Sequence, residues 1–102
     1  MARQEEVDIF VKHYGLYIEP EYRFMDLVSE LGEVSKQIIA QTDYGDKEKI
    51  EKTEYLEEEL GDLYFSLIVL ANSLNIDLDI ALDNVMEKYK KRIEENGDPG
   101  SE

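Results

Sequence analysis

Apolar residues recur at three- and four-residue steps through most of this chain, a spacing typical of amphipathic helices. The pattern predicts four helices, over about residues 3–14, 20–41, 55–74 and 78–95. No strand-like alternation interrupts them, so the predicted fold class is all-α. The predicted inward faces are Val7, Phe10, Val11 and Tyr14; Leu27, Leu31, Val34 and Ile38; Leu56, Leu60, Leu63, Leu67, Leu70 and Leu74; and Leu78, Leu82, Val85, Tyr89 and Ile93.

Residues with strong helix-end preferences separate these segments. Gly15 ends the first helix, and Pro20 suits the first turn of the second. Asn75 is expected to end the third helix, while Asp77 or Asp79 caps the start of the fourth. The connections are short, which predicts a small antiparallel four-helix bundle.

The chain is expected to form one domain over residues 1–96, followed by a tail over 97–102 that begins at the helix-ending Asn96-Gly97. Tyr44-Gly45-Asp46 reads as a break. The charged segment 47–54 is consistent with a loop, a short helix or the solvated start of helix three.

A second apolar face on helices two and three predicts assembly. Ile39, Phe65, Ile68 and Val69 fall away from the main apolar stripes. We therefore expect subunits to associate through helices two and three, as a homodimer or homotetramer.

Composition and charge narrow the class of protein. The 102 residues include 25 Asp and Glu against 11 Lys and Arg, for a net charge of −14, and 42% are apolar. Such a surface repels nucleic acid and anionic membranes, while the periodic apolar content argues against disorder. Cysteine is absent, which excludes disulfides and thiolate metal sites. Neither a bilayer-spanning run nor a secretory signal is evident, so we expect a cytoplasmic protein.

Two acidic pairs lie beside the apolar stripes of helices two and three. Glu30 and Glu33 form one pair, and Glu59 and Asp62 the other. Residues three apart share a helix face, and antiparallel packing brings the two flanks to the same side. Four carboxylates in one groove repel each other unless a cation neutralises them. Because every donor is an oxygen, the predicted ion is Mg2+, or Mn2+, rather than Zn2+.

Spacing alone is weak support for a metal site, because an acidic chain produces such pairs by chance. Glu48/Glu51, Glu51/Glu54 and Glu54/Glu57 have the same step, and each single pair also fits a solvated helix face.

Gly32 and Gly61 stand beside the two acidic pairs, inside helices where glycine is costly. They predict either a close approach of helices at the site or small residues that serve tight packing alone.

Lys88 and Arg92 flank the apolar stripe of helix four. Basic residues near a helix C-terminus commonly interact with the helix dipole. In a groove that holds a cation, they would instead bind phosphate oxygens, with Arg92 able to bind two at once.

The segments Ser29-Glu30-Leu31-Gly32-Glu33 and Glu59-Leu60-Gly61-Asp62, followed by Lys88 and Arg92, resemble the MazG family of all-α nucleoside triphosphate pyrophosphohydrolases. The resemblance runs from about Leu27 to the C-terminus. The family pattern is EExxE followed by ExxD, and Ser29 stands where the family has its first Glu.

The resemblance implies a function and a site. The expected reaction converts a (d)NTP to the monophosphate and pyrophosphate, in the service of nucleotide-pool cleansing. The implied Mg2+ ligands are Glu30, Glu33, Glu59 and Asp62, and the implied phosphate-binding residues are Lys88 and Arg92. A carboxylate of the cluster, Glu33 or Glu59, is the expected proton acceptor.

Two alternatives remain open at this stage. One is a phosphoribosyl-ATP pyrophosphohydrolase of the same superfamily. The other is a non-catalytic helical module for oligomerisation or binding, which Ser29 in place of Glu keeps open.

A P-loop is excluded because the sequence GxxxxGK[ST] does not occur. His13, the only histidine, is expected at a helix end or on the surface.

Overall fold

The computed structural model describes residues 2–42 and 51–100, which form four α-helices without strands. The helices are α1 (Ala2–His13), α2 (Pro20–Thr42), α3 (Glu54–Ser73) and α4 (Leu78–Asn96). The all-α prediction with four helices is confirmed, and the bounds agree to within one or two residues. The predicted break at Tyr44–Asp46 and the first half of the charged segment, 47–50, lie outside the described residues, whereas 51–53 precede α3 without helical structure.

Local side-chain chemistry explains where the helices begin and end. The Thr53 hydroxyl accepts a hydrogen bond from the Leu56 amide at 3.1 Å and caps α3. Asp77 caps α4 through its carboxylate, as predicted, while Gly97 ends α4 in the left-handed conformation at φ 84°. Asn75 also has a positive φ of 56°, directly after α3. Asn tolerates this conformation better than most residues, so the chain can bend sharply there.

The helices α2 and α3 form the principal pair, and α1 packs on α3. The Glu51 amide donates to Gln41 Oε1 at 2.8 Å, where α2 ends and α3 is about to begin. Earlier on α2, Glu30 lies beside Glu59 and Asp62, which come later on α3, so the two helices run antiparallel. Among residues 2–42 and 51–100, the buried apolar core is small, and none of its side chains is less than 2% exposed. It contains Val34, Leu56, Ile68, Val69 and Ala71.

Gln4 anchors α1 to the corner between α3 and α4. Its side chain is 5% exposed, donates to the Ile76 carbonyl at 2.9 Å and accepts from the Leu78 amide at 2.7 Å. These bonds satisfy main-chain groups where α3 has ended and α4 begins. The first turn of α1 therefore holds the shape of a corner more than 70 residues away.

The helix α4 does not fold back antiparallel to α3, but leaves it at a bend of 103°. None of its residues is buried, and Leu82 and Ile93 are at least half exposed. The prediction that this apolar face of α4 points inward is therefore wrong for the single chain, because too few helices lie next to α4 to cover it. The same is true of Leu31 and Leu60, which were expected to be inward and are 56% and 48% exposed.

The residues predicted to form a second face divide into two groups. Ile68 and Val69 are 3% and 5% exposed and belong to the core of the chain, because α1 covers this side of α3. That part of the interface prediction is wrong. Ile39 is 38% exposed, and Phe65 is half-buried against Phe10. Assembly through α2 and α3 stays a prediction.

Across residues 2–42 and 51–100, no single helix combines the length and apolarity needed to cross a bilayer; α3 and α4 together, as a bent pair, meet that test by length and composition.

Candidate active site

Three carboxylates from two helices converge on the side of the α2–α3 pair. Glu30 comes from α2, and Glu59 and Asp62 come from α3. One ligand oxygen from each lies within 4.8 Å of the others. Glu59 and Asp62 share a face because they are three residues apart, and the antiparallel partner helix brings Glu30 opposite them.

Glu33, the fourth predicted acid, lies at the edge of this acidic cluster. Its Oε1 is 3.7 Å from the Lys36 ammonium, and both side chains are substantially exposed. Among the described residues, this is the only ion pair that involves any of the four predicted acids. An exposed pair at this distance contributes little stability, so Glu33 is free to turn towards the cluster.

Two carboxylates of the cluster, Glu30 and Glu59, have a raised pKa. Loss of hydration in the groove raises the pKa of Glu30 above its ordinary value of 4.5, and repulsion from Asp62, Glu33 and Asp26 adds to the effect. The pKa of Glu59 is raised by the same loss of hydration, followed by repulsion from Asp62, Glu33 and Glu30. The negative charge of these acids is therefore not compensated locally, which is the condition under which a cation binds.

Asp26 is a further acid that the sequence analysis missed. It lies one turn before Glu30 on α2, and its charge contributes to the raised pKa of Glu30. The sequence could have indicated this residue, because Asp26 and Glu30 are four residues apart and therefore share a helix face. Ser29, at the position of the family's first Glu, is exposed. Asp26 therefore adds a carboxylate near the place where Ser29 lacks one.

The two helix glycines do not serve packing within this chain. A Cβ added at Gly32 or Gly61 would meet no atom within 4 Å among those described. Both earlier interpretations, close helix approach and tight packing, are therefore wrong for the isolated chain. Both positions leave open space beside the α2–α3 pair.

Lys88 and Arg92 are not brought to the acidic cluster of their own chain. Asp62 lies three turns before the end of α3, and Arg92 lies four turns into α4. With the 103° bend, this leaves about 24 Å between the two positions, beyond the reach of their side chains. The two basic residues instead line a shallow 380 Å³ depression on α4. Arg92 Nη1 donates to the Pro99 carbonyl at 3.3 Å, and Lys88 Nζ lies 5.2 Å from the Tyr89 ring centre.

Comparison with known proteins covers nearly the whole chain. A model of the MazG nucleotide pyrophosphohydrolase domain matches residues 19–96. The uncharacterized protein YpjD of Bacillus subtilis (strain 168) is 39% identical over 92 residues, which make up 87% of this chain and 81% of that protein.

Two crystal structures have the same fold. The Bacillus-conserved MazG protein, a nucleotide pyrophosphohydrolase, matches with a TM-score of 0.71 and 36% identity, over 86% of this chain and 85% of that one. YpjD of Bacillus subtilis matches with a TM-score of 0.70 and 40% identity, over 87% of this chain and 90% of that one. The matched family domain contains the acidic cluster and both basic residues of α4.

Proposed function

Because this chain belongs to the MazG nucleotide pyrophosphohydrolase family, we propose that it hydrolyses a nucleoside triphosphate to the monophosphate and pyrophosphate, with Mg2+ or Mn2+ as its cofactor. The observation that carries this proposal is the convergence of Glu30, Glu59 and Asp62 within 4.8 Å. Cleansing of the nucleotide pool in the cytoplasm is the biological role that we propose for it.

The residues of the cluster fit a hard divalent cation. All donors are carboxylate oxygens, and their mutual repulsion disfavours the metal-free site. Glu30, Glu59 and Asp62 would hold the ion, with Glu33 joining them after release from Lys36. When bound, such an ion neutralises phosphate charge and lowers the pKa of a bound water.

The chain's own carboxylates supply the proton acceptor. The water oxygen forms a bond to the α-phosphorus, and the bond from that phosphorus to the bridging oxygen breaks, so that pyrophosphate leaves. The water proton passes to Glu33 or Glu59. A carboxylate within hydrogen-bond reach of the water can accept this proton as the bond to phosphorus forms.

The surface of the isolated chain supports assembly as a homodimer or homotetramer. It exposes 8064 Å², against about 5,900 Å² for a compact monomer of 11.9 kDa. Its radius of gyration is 16.7 Å, where a compact chain of this length has about 13 Å. A second copy would cover the excess surface.

The outer face of the α2–α3 pair is the surface that we assign to the second copy. It is apolar and exposed, and Gly32 and Gly61 leave open space at which another helix can approach closely. Its apolar residues are Phe24, Val28, Leu31, Leu60 and Tyr64.

Assembly also gives the basic residues of α4 a role. Lys88 and Arg92 are too far from their own cluster, so we place them at the acidic cluster of the second copy, where they would bind the phosphates of the substrate. Each site then combines acids from one chain with cations from the other, which offsets the repulsion between an acidic protein and an anionic substrate.

The test is a panel of (d)NTPs and phosphoribosyl-ATP with Mg2+ or Mn2+, with separate measurement of pyrophosphate and orthophosphate. We expect pyrophosphate as the direct product and its loss in Glu59→Gln. Glu94→Gln, on exposed α4, is the matched control. Turnover of phosphoribosyl-ATP alone would favour the superfamily alternative. No turnover of any substrate would favour the non-catalytic module.

A further inference from the structure

The chain folds into a tight turn directly after α4. Gly97 is left-handed, with φ 84°, and its amide donates to the Ile93 carbonyl at 2.9 Å. The Asp98 carboxylate then accepts a hydrogen bond from the Gly100 amide at 2.9 Å, and Gly100 has a φ of 68°. The proline between these two residues has a fixed φ, so few conformations remain open to the segment. We call residues 97–100 the α4 turn.

The α4 turn holds the side chain of Arg92. The Pro99 carbonyl accepts a hydrogen bond from Arg92 Nη1 at 3.3 Å. The Gly100 backbone lies against the same side chain, since a Cβ added there would be 3.6 Å from Arg92 Cδ and 3.8 Å from Nη1. Arg92 is half-buried, whereas every other residue from Met86 to Asn96 is exposed. The guanidinium is therefore held along one edge.

The acceptor in this contact is neutral, which leaves the charge of Arg92 uncompensated. Other cations of the chain form ion pairs with carboxylates; these are Arg3, Lys12, Lys36 and Lys52. Arg92 forms no ion pair among the described residues, although Glu95 lies only three residues further along α4. A carbonyl orients a guanidinium without neutralising it and occupies only part of its set of N–H donors. The charge and the remaining donors are left for a phosphate.

We propose that the α4 turn positions Arg92 for the phosphates of the substrate, with Asp98 and Gly100 as the residues that shape the turn. This inference rests on the proposed function, in which Arg92 binds phosphate at the acidic cluster of a second copy. An unrestrained arginine side chain loses conformational freedom when it binds a ligand, which weakens binding. The turn removes part of that loss in advance. Because bound phosphate then holds the guanidinium itself, the turn should affect KM more than kcat.

The experiment compares Asp98→Ala with Asp98→Asn in the intact chain. Both changes remove the negative charge, but only asparagine keeps an oxygen that can accept from the Gly100 amide. The difference between them therefore separates the turn from the charge. Steady-state kinetics use the nucleoside triphosphate that the wild type hydrolyses fastest. Calorimetry measures the binding of Mg2+-tripolyphosphate, which has phosphates but no base, and thermal unfolding is followed in parallel.

For Asp98→Ala we expect KM and the dissociation constant of tripolyphosphate to rise by the same factor, about threefold to tenfold, which corresponds to one hydrogen bond. The kcat and the melting temperature should change little, because the turn is exposed and lies outside the core. Asp98→Asn should bind as wild type does. Gly100→Ala should reproduce Asp98→Ala, since alanine disfavours the left-handed conformation. In an Arg92→Ala background, Asp98→Ala should weaken tripolyphosphate binding no further.

Unchanged KM and tripolyphosphate affinity in Asp98→Ala, in a chain that turns over nucleotides, would overturn the inference and leave the proposed function intact. Tighter binding by Asp98→Ala than by Asp98→Asn would also overturn it, because the turn would then mask Arg92. A further loss in the Arg92→Ala background would overturn it as well, since Asp98 would then act on another group. A wild-type protein that releases no pyrophosphate from any nucleotide would overturn the proposed function itself.

Discussion

Gln4 and Asn72 exchange hydrogen bonds across 68 residues of sequence. Gln4 Nε2 donates to Asn72 Oδ1 at 3.0 Å, and Asn72 Nδ2 donates to the Gln4 carbonyl at 3.0 Å. This reciprocal pair joins the first turn of α1 to the last turn of α3. It therefore sets the register of α1 against α3.

Removal of this contact should destabilise the whole chain. Gln4→Leu leaves Asn72 Oδ1, the Ile76 carbonyl and the Leu78 amide without their partner. The bond from Asn72 Nδ2 to the main-chain carbonyl of residue 4 is kept. We expect a loss of about 2–3 kcal/mol in the free energy of unfolding, because buried polar groups would lose their hydrogen bonds. Denaturant titration measures this loss. Arg3→Ala, at an exposed neighbouring position, should change stability by less than about 0.5 kcal/mol. Equal effects of the two changes would contradict the assigned role.

Divalent cations should stabilise the folded protein. A ligand at one hundred times its dissociation constant adds about 2.7 kcal/mol to the free energy of unfolding. We expect the melting temperature to rise with Mg2+ or Mn2+ in the wild type. The rise should be lost in Asp62→Asn, which removes a carboxylate of the cluster, and kept in Asp83→Asn on exposed α4. A rise that survives in Asp62→Asn would place the ion elsewhere.

The raised pKa values of Glu30 and Glu59 predict a pH dependence of the metal-free protein. Each carboxyl binds its proton more tightly when folded than when unfolded, so its ionisation opposes folding. The resulting loss in the free energy of unfolding is complete when the pH is above the pKa of the carboxyl in the folded chain. It is relieved as the pH falls through that pKa towards 4.5.

We therefore expect the metal-free protein to become more stable as the pH falls from neutral towards this range. Glu59→Gln should reduce that dependence and raise stability at neutral pH, whereas Glu94→Gln should alter neither as much. Thermal unfolding over a pH series, with a chelator present, measures the effect. A metal-free Glu59→Gln protein that is less stable than wild type at neutral pH would contradict it.

Shared sites predict complementation between two inactive variants. Glu59→Gln and Arg92→Ala should each be inactive, but a mixture after subunit exchange should recover about a quarter of wild-type activity. Half of randomly paired dimers are mixed, and each of these holds one intact site. Differently tagged variants show by co-purification that exchange has occurred. Mixed assemblies without activity would place the basic residues at their own chain's cluster or outside the site.

Gly61, on the outer face of the α2–α3 pair, should affect the formation of the dimer or tetramer and not the folding of the single chain. Gly61→Ala adds helix propensity of about 1 kcal/mol and meets no atom within 4 Å in one chain. We expect it to weaken the dimer or tetramer in sedimentation velocity experiments while the helical content is kept. Gly15→Ala, at φ 63°, is expected to lower stability without an effect on assembly. An unchanged oligomer in Gly61→Ala would exclude close approach at this face.

The helices and the acidic pairs were predictable because their causes are local. The three-and-four spacing of apolar residues, Pro20 at the start of α2 and Gly97 at the end of α4 depend on neighbours within a turn or two. The shared face of Glu59 and Asp62 is likewise a property of a single helix. The resemblance of these residues to the MazG pattern identified the family, and the family model that matches residues 19–96 confirms it.

The tertiary structure alone decided which apolar faces are covered and how far apart distant groups lie. The 103° bend after α3 leaves α4 exposed and separates Arg92 from Asp62, although the sequence places both on suitable helix flanks. Gln4 carries no local signal, yet its bonds to Asn72, Ile76 and Leu78 fix α1. Periodicity specifies a helix face, whereas the partner of that face depends on contacts between residues far apart in sequence.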